Sequence, residues 1–255
     1  MVIRKTSAQI EKMRAAGAVL ARCINEIVQS IEPDKTTTQD IDEISEELIR
    51  KYKGIGSFKN YRGYPNTVCV AVNEEVVHGI PGSRVLRTGD VVGIDLGVII
   101  DGWHADSAVT VAVGGQTSPE AAKLLKVTKE ALFKGIEQAR PGNRLSDIGH
   151  AIQSYAERRG YSVVRDLVGH GIGRNLHEEP NVPNYGPPGK GVRLEEGMTL
   201  AIEPMVNIGG YEVETLQDNW TVVTKDRSLS AHFEHTVAIT KSGPDILTLM
   251  PMEET

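Results

Sequence analysis

The stretch Asp95-Leu-Gly-Val-Ile-Ile-Asp-Gly-Trp-His-Ala-Asp106 decides how this chain is read. Residues 91–100 are dominated by Val, Ile and Leu, the composition of a strand. Asp101-Gly102 then supplies two residues that tolerate positive φ, as a type I′ hairpin turn requires. Residues 103–113 form the return strand. Closing the turn on 101 and 102 pairs Ile100 with Trp103, Ile99 with His104, Val98 with Ala105 and Gly97 with Asp106. Side chains alternate along a strand, so Asp95 shares a sheet face with Gly97 and Asp106. Diagonal cross-strand neighbours lie about 7–8 Å apart and reach one another. Two carboxylates aimed at one spot inside an apolar hairpin repel. Gly97 is expected to leave room opposite Asp106, and a cation between the two acids is the simplest resolution. The alternative is a pair of solvated aspartates on an open sheet face, and the apolar flanks weigh against it.

The bulk properties narrow the class. A formal charge of −6 over 255 residues argues against a general nucleic-acid binder, which would be basic. Cys23 and Cys69 give neither a disulfide framework nor a zinc-ligand spacing, which fits a reducing, intracellular setting. The N-terminal Met-Val-Ile-Arg-Lys-Thr is followed by no apolar signal core, and no run approaches the ~18 apolar residues of a membrane span. A cytoplasmic protein with no membrane partner is expected.

Along the chain, helices are expected over residues 7–31 with Ser7 as the cap, and from Thr37 or Thr38 to Tyr52. Two more are expected over residues 118–138, where Ser118 caps and Pro119 opens, and 145–159. Strands are expected over 67–72, 163–169, 198–206, 218–224 and 231–240. A hairpin closes over 76–82, a glycine-rich turn surrounds His170, and 180–191, rich in proline and glycine, is a loop. The segment Ile31-Glu-Pro-Asp-Lys-Thr-Thr-Thr-Gln-Asp-Ile41 parallels Ala139-Arg-Pro-Gly-Asn-Arg-Leu-Ser-Asp-Ile148: helix end, proline break, cap, Asp-Ile, new helix. The chain is therefore read as one domain, 1–255, of two related α/β halves (about 1–113 and 114–255) that share a sheet and hold a ligand between them.

Three later residues are odd for core strands or turns. Glu203 sits in Thr-Leu-Ala-Ile-Glu-Pro-Met-Val, Glu234 in Ser-Ala-His-Phe-Glu-His-Thr-Val, and His170 in Val-Gly-His-Gly-Ile-Gly, whose glycines are expected to let a ligand approach. Ionised carboxylates are seldom buried unless paired or bound to metal. Taken singly, Glu203 also suits an edge strand, His170 a satisfied turn, and Glu234 a surface pair with His232 or His235. Taken with Asp95 and Asp106, they make four acids and one imidazole, a recognisable ligand set.

At these residues the sequence resembles the type I methionine aminopeptidases in their short bacterial form. The matching stretches are Tyr61-Arg-Gly-Tyr-Pro-Asn-Thr-Val-Cys69, Asn73-Glu-Glu-Val-Val-His-Gly-Ile-Pro81, Gly93-Ile-Asp95, Asp101-Gly-Trp-His-Ala-Asp106, Gly169-His-Gly-Ile-Gly173, His177-Glu-Glu-Pro180, Ile202-Glu-Pro-Met205, Trp220 and Ser230-Ala-His-Phe-Glu-His-Thr236. The resemblance implies a pita-bread fold: an α/β (α+β) arrangement of pseudo-twofold halves around a curved, largely antiparallel sheet with flanking helices. It implies two divalent metal ions (Co, Mn, Fe or Zn). Asp95, Asp106 and Glu234 would hold one, and Asp106, His170, Glu203 and Glu234 the other; the four negative charges match the four positive ones. An oxygen-rich set with one imidazole suits such ions.

The activity implied is removal of the initiator methionine from nascent proteins whose second residue is small, by a hydroxide bound between the two metals. Carried over, His78 contacts the peptide amide, His177 stabilises the oxygen of the tetrahedral intermediate, and Glu203 shuttles the proton. Phe58, Tyr61, Tyr64, Cys69, His78, Leu176, His177 and Trp220 would line a cup suited to an unbranched thioether. His78 by itself also reads as a turn residue, and the 58–64 loop as one packed on the core. His104 shares a face with Asp106, but the family pattern gives it only a supporting place behind the ligands. The implied partner is a nascent N-terminus, with transient ribosome contact, no nucleic acid needed for catalysis, and a monomeric enzyme. Three departures stand out: Gly97 where threonine is frequent, Arg62 where histidine is common, and Phe58 where cysteine is frequent. Prolidase-like or aminopeptidase P-like activity, or a catalytically dead peptide-binding module, are the rival readings.

Overall fold

The structure is a computed structural model, and it describes residues 2–249. Four helices and a nine-stranded sheet organise it. Helix α1 (Ser7–Ser30) is capped by Thr6, not Ser7 as expected from sequence: Thr6 Oγ1 accepts from the Gln9 amide, while the Gln9 side chain accepts from the Thr6 amide. That reciprocal box satisfies two amides that a helix start leaves free. Thr37 and Asp40 do the same for α2 (Thr38–Lys51). Ser118 caps α3 (Pro119–Ile136), and α4 spans Leu145–Glu157.

The carboxylate hairpin forms in the expected register. Val91–Ile100 pairs with Trp103–Ala112, placing Ile100 opposite Trp103, Ile99 opposite His104, Val98 opposite Ala105 and Gly97 opposite Asp106. Asp101 and Gly102 both have positive φ, at 50° and 75°. The strand Val68–Val72 adds to one side, with Cys69 opposite Asp95. On the other, Glu234–Thr240 sets Glu234 opposite Ala108, then pairs with Thr199–Ile202, which leads to Gly169–Gly171 and Glu178–Val182. Every one of these pairings is antiparallel.

Alternation sorts the sheet's two faces. Ile94, Leu96, Val98 and Ala105 pack with Ala16, Leu20, Cys23, Ile24 and Ile27 of α1 and with Ile41 and Ile49 of α2. A second core joins α3 and α4 to Leu200, Ile202, Val237 and Ile239, and Val109 touches both. The helices thus cover one face, and the odd carboxylates are left on the other. Helix α1 lies close enough to the chain at Leu247 that a Cβ on Gly17 would stand 2.0 Å from the Leu247 carbonyl oxygen. No helix among the described residues is long and apolar enough to cross a membrane.

Several sequence expectations are corrected. His170 lies in the short strand Gly169–Gly171 and not in a turn; the two-residue strand Ser162–Val163 pairs with Met205–Asn207 in a separate small sheet, and residues 164–168 belong to no strand. The loop expected from residue 180 begins as the strand Glu178–Val182, which accommodates Pro180 through a cis peptide. The strand expected over 198–206 breaks at Glu203-Pro204 into Thr199–Ile202 and Met205–Asn207, since proline cannot donate to a ladder. The one expected over 231–240 breaks at Phe233. Glu75–Val77 does not close a local hairpin; it pairs with Val222–Thr224, bringing His78 and Trp220 to the same end of that small sheet.

Candidate metal centre and substrate cavity

Register alone gathers the five expected ligands. Asp95 and Glu234 both face Ala108, one from each side. Asp106 is two residues from Ala108 and so on the same face. His170 and Thr236 both face Ala201, and Glu203 follows Ala201 by two. The side chains converge accordingly. One ligand atom each from Asp106, His170 and Glu234 lies within 4.8 Å of the others. His170 Nε2 stands 3.8 Å from Asp106 Oδ2 and 3.6 Å from Glu203 Oε1. Asp95 lines the same cavity.

The electrostatics are those of a site built for cations. Burial pushes the Asp95 carboxyl up to about 7. Burial, and then the charges of their neighbours, push Asp106, Glu203 and Glu234 well above the usual carboxylate range. Asp95 Oδ1, Asp106 Oδ1 and Glu234 Oε1 are buried with no hydrogen-bond partner. An unpartnered buried carboxylate oxygen is costly, and a bound cation removes the cost. His170 is prepared in the same sense: its Nδ1 donates to the Gly171 carbonyl at 2.9 Å, which leaves the Nε2 lone pair aimed at the acids. Burial holds its pKa down to about 4, so it is neutral and able to ligate at pH 7. The donor set present therefore fits hard or borderline divalent ions.

Around these five side chains, hydroxyls fix the strands. Thr236 Oγ1 accepts from the Asp106 amide at 2.9 Å and donates to its carbonyl at 2.8 Å. Thr110 Oγ1 donates to the His232 carbonyl. The glycines flanking His170 do not open space for a ligand, contrary to the expectation from sequence. A Cβ on Gly169 would lie 2.3 Å from Ala201 O, and one on Gly171 2.3 Å from Glu179 O, so they permit backbone to approach backbone. Gly97 leaves no vacancy either. Its missing Cβ would stand 2.7 Å from Ser57 Cβ and 2.8 Å from Phe58 Cε1, so the 57–58 segment has moved into that place. His104 Nδ1 is 3.0 Å from Ser57 Oγ.

A cavity of about 260 Å³ opens beside the acids. Phe58, Tyr61, Tyr64, His78, Leu176, His177 and Trp220 all line it, as the sequence leads one to expect. Cys69 does not; it is buried behind, packed with Tyr64 and Phe58. Val77, Leu167, Val168 and Met205 also contribute to the wall and were not anticipated. The signal for the last three was proximity in sequence to His170 and Glu203. Arg62, noted as a departure, reaches the wall as well. His232, weighed from sequence only as a surface partner of Glu234, is buried beside Glu203: its unpartnered Nε2 is 4.0 Å from Glu203 Oε2, and burial lowers its pKa to about 3.

The two histidines outside the ligand set face each other's surroundings. His78 has φ 59°, a strained backbone for a non-glycine residue and a frequent mark of a functional position. Its ring meets Trp220 edge-on at 6.4 Å. The His177 ring stacks on Tyr61 at 5.2 Å and lies 4.1 Å from the His170 ring. One edge is open to solvent, yet packing against these neighbours lowers its pKa, with His170 and Arg62 adding to the shift. Its Nδ1 is 2.9 Å from the Tyr61 hydroxyl.

A curled antiparallel sheet with buried acids and one imidazole on its open face, beside an aromatic cup, defines a metallohydrolase. Residues 11–241 match the model of metallopeptidase family M24, and the chain belongs to that family, among its methionine aminopeptidases. It is 54% identical over 250 residues to a methionine aminopeptidase of Clostridium acetobutylicum, covering 98% of this chain and 99% of that one. It is 54% identical over 248 residues to methionine aminopeptidase 1 of Bacillus subtilis, covering 97% and 99%. The crystal structure of the Rickettsia prowazekii methionine aminopeptidase superposes with a TM-score of 0.95 at 44% identity, covering 98% of this chain and all of that one. The Pyrococcus horikoshii prolidase shares the fold at a TM-score of 0.79 and 22% identity, over 66% of its own length.

Proposed function

We propose that this chain removes the N-terminal methionine from nascent proteins whose second residue is small. The observation that carries the reading is the juxtaposition of four acids, two buried and two half-buried, and a neutral imidazole with an aromatic cup that ends at His78 and His177. Asp95, Asp106, His170, Glu203 and Glu234 would hold two divalent ions (Co, Mn, Fe or Zn), Asp106 and Glu234 serving both. When bound, such ions lower the pKa of water and polarise a peptide carbonyl.

The remaining steps belong to the protein's own side chains. Burial, and then the charges of Asp106 and Asp95, raise the Glu203 pKa, so its carboxylate is basic enough to take a proton from the attacking water and return it to the leaving amine. With the Tyr61 hydroxyl, 2.9 Å from His177 Nδ1, as the donor, the His177 proton stays on Nε2, where it can donate to the oxygen that gains charge. His78, held in its strained turn beside Trp220, contacts the scissile amide. The thioether of methionine lies against Phe58, Tyr61, Tyr64 and Trp220, where sulfur–aromatic contacts favour it. Leu176 closes the apolar wall. The two halves act as one catalytic unit, in the cytoplasm, on N-termini emerging from the ribosome, as a monomer and with no nucleic acid required.

The test is hydrolysis of a Met-Gly-Met peptide and of X-Pro dipeptides after loading with Mn or Co. Release of free methionine, abolished by a chelator and sharply reduced in His78→Ala, is expected. Cleavage of X-Pro substrates without methionine release would assign the chain to the prolidase type instead. No metal-dependent turnover of either would leave a peptide-binding module.

A further inference from the structure

Among the described residues, Lys5 is the only lysine or arginine whose residue is buried, and none of the steps above uses it. Its Nζ donates to Glu178 Oε2 at 2.6 Å, and the two side chains are 3% and 4% exposed. Glu178 Oε1 accepts from the Asn175 amide at 3.1 Å. The Lys5 amide donates to Gly197 O at 2.7 Å, which ties the segment ahead of α1 to the sheet. Gly173 has to be glycine for the pair to form: a Cβ there would stand 2.6 Å from Lys5 Cε and 2.7 Å from Glu178 Oε1.

The pair sits behind the segment 173–178, which presents Leu176 and His177 to the cavity. Two further anchors of that segment are the His104 amide donating to Gly173 O at 2.8 Å and the Arg174 guanidinium donating to the carbonyls of Asp101 and Gly102. Both lie at its start. Arg174 is exposed, and an exposed contact holds weakly. At the end next to His177, the Lys5–Glu178 pair is the buried charged anchor, beside the pairing of Glu178 with Gly171 and the Tyr61 ring and hydroxyl against His177. A buried ion pair is a poor way to gain stability, because desolvating two charges offsets their attraction. Its merit is a fixed geometry.

We infer that the buried Lys5–Glu178 ion pair positions His177 for the reaction, making Lys5 a positioning residue. This rests on the reading that His177 stabilises the developing oxyanion. An interaction made chiefly in the transition state shows in kcat and not in KM.

The variants are Lys5→Met, Glu178→Gln and the double variant, with Ile148→Val in the α4 core as a stability control. Hydrogen exchange of amides 173–178 is followed in the metal-free protein, and kcat and KM for Met-Gly-Met in the Mn-loaded protein. Lys5→Met is expected to speed exchange at 175–178 at least tenfold and lower kcat at least tenfold, with KM within about threefold. The double variant is expected to recover part of kcat, since no lone charge remains and the substituted glutamine would keep the acceptor for the Asn175 amide. Ile148→Val is expected to lower the melting temperature and leave kcat unchanged. A Lys5→Met protein with kcat within twofold of the parent, or with losses equal in kcat and KM, would overturn the inference. If Lys5→Met does not fold, Glu178→Gln is read by the same criteria. Normal turnover by His177→Ala would sink the reaction reading separately, and the exchange data would still decide whether the pair holds 173–178.

Discussion

The two halves of the sheet deliver the five proposed ligands in different ways. Asp95 and Asp106 sit on two ten-residue strands joined by a two-residue turn, so local chemistry fixes their relation. His170, Glu203 and Glu234 come from strands of three, four and seven residues, or from just beyond them, whose register depends on pairing across long sequence separations. The first arrangement is prefabricated. The second is assembled, and it needs glycines for close backbone approach and a buried ion pair to hold its last loop. A site made from both has a rigid wall and a wall that depends on what occupies it.

The sharpest way to break this contrast is through chemistry confined to the assembled wall. Glu203→Gln keeps the shape and removes the proton acceptor; kcat on a Met-peptide is expected to fall roughly 10²–10⁴-fold. If the variant turns over within tenfold of the parent, Glu203 does not shuttle the proton. His177→Ala, also on that wall, is expected to lower kcat by roughly 10²–10³-fold with little change in KM. A rise in KM alone would mean that His177 only binds substrate.

Metal removal comes next in size. An ion at a hundredfold excess over its dissociation constant stabilises the fold by about 2.7 kcal/mol, so chelation should lower the melting temperature measurably. The loss should concentrate in exchange protection of residues 169–171 and 199–207, while 91–112 stays protected. Equal loss in both halves would erase the distinction drawn here. The pH dependence has a defined sign. The Asp95 carboxyl, at about 7 in the metal-free fold, stands above its unfolded value, so its stabilising contribution is full below about pH 4 and is lost as pH rises through 7. His170, held down at about 4, behaves oppositely: its contribution is full above about pH 6.5 and is lost as pH falls through 4. Ion binding favours the charged acids and the neutral imidazole. The gap in melting temperature between loaded and chelated protein should therefore widen between pH 5 and 8, and a gap that narrows would contradict the acid assignment.

The smallest effects compare two glycines. Gly171→Ala, on the assembled wall, would place a methyl 2.3 Å from Glu179 O and is expected to cost about 1–3 kcal/mol. Gly102→Ala, in the hairpin turn at φ 75°, meets only the end of the Arg174 side chain and is expected to cost about 1–2 kcal/mol. Denaturant melts of both variants give the order; the reverse order would make the hairpin the more demanding half.

The same difference explains what the sequence could reveal. The hairpin was legible to the residue because Asp101-Gly102 leaves one register and alternation then fixes the faces. The helices were legible from their apolar stripes, with the cap of α1 displaced by one residue because Thr6 and Ser7 both offer a hydroxyl. The short strands around His170 and Glu203 were not, since two- to four-residue segments carry too little periodicity to separate strand from turn. There the ligands were recognisable only as charges out of place and by resemblance. The filling of the Gly97 position by Ser57 and Phe58 was invisible for the same reason: nothing local in sequence links residues forty apart. Nor could spacing show that Cys69 stands behind the cavity wall while Arg62 reaches it.

The central claim is that five side chains from both halves surround a pair of divalent ions. Anomalous diffraction from Mn-soaked crystals tests it directly. Two peaks are expected, one beside Asp95 and one beside His170 and Glu203, with Asp106 and Glu234 between them. A map without a peak at any of the five would contradict the account.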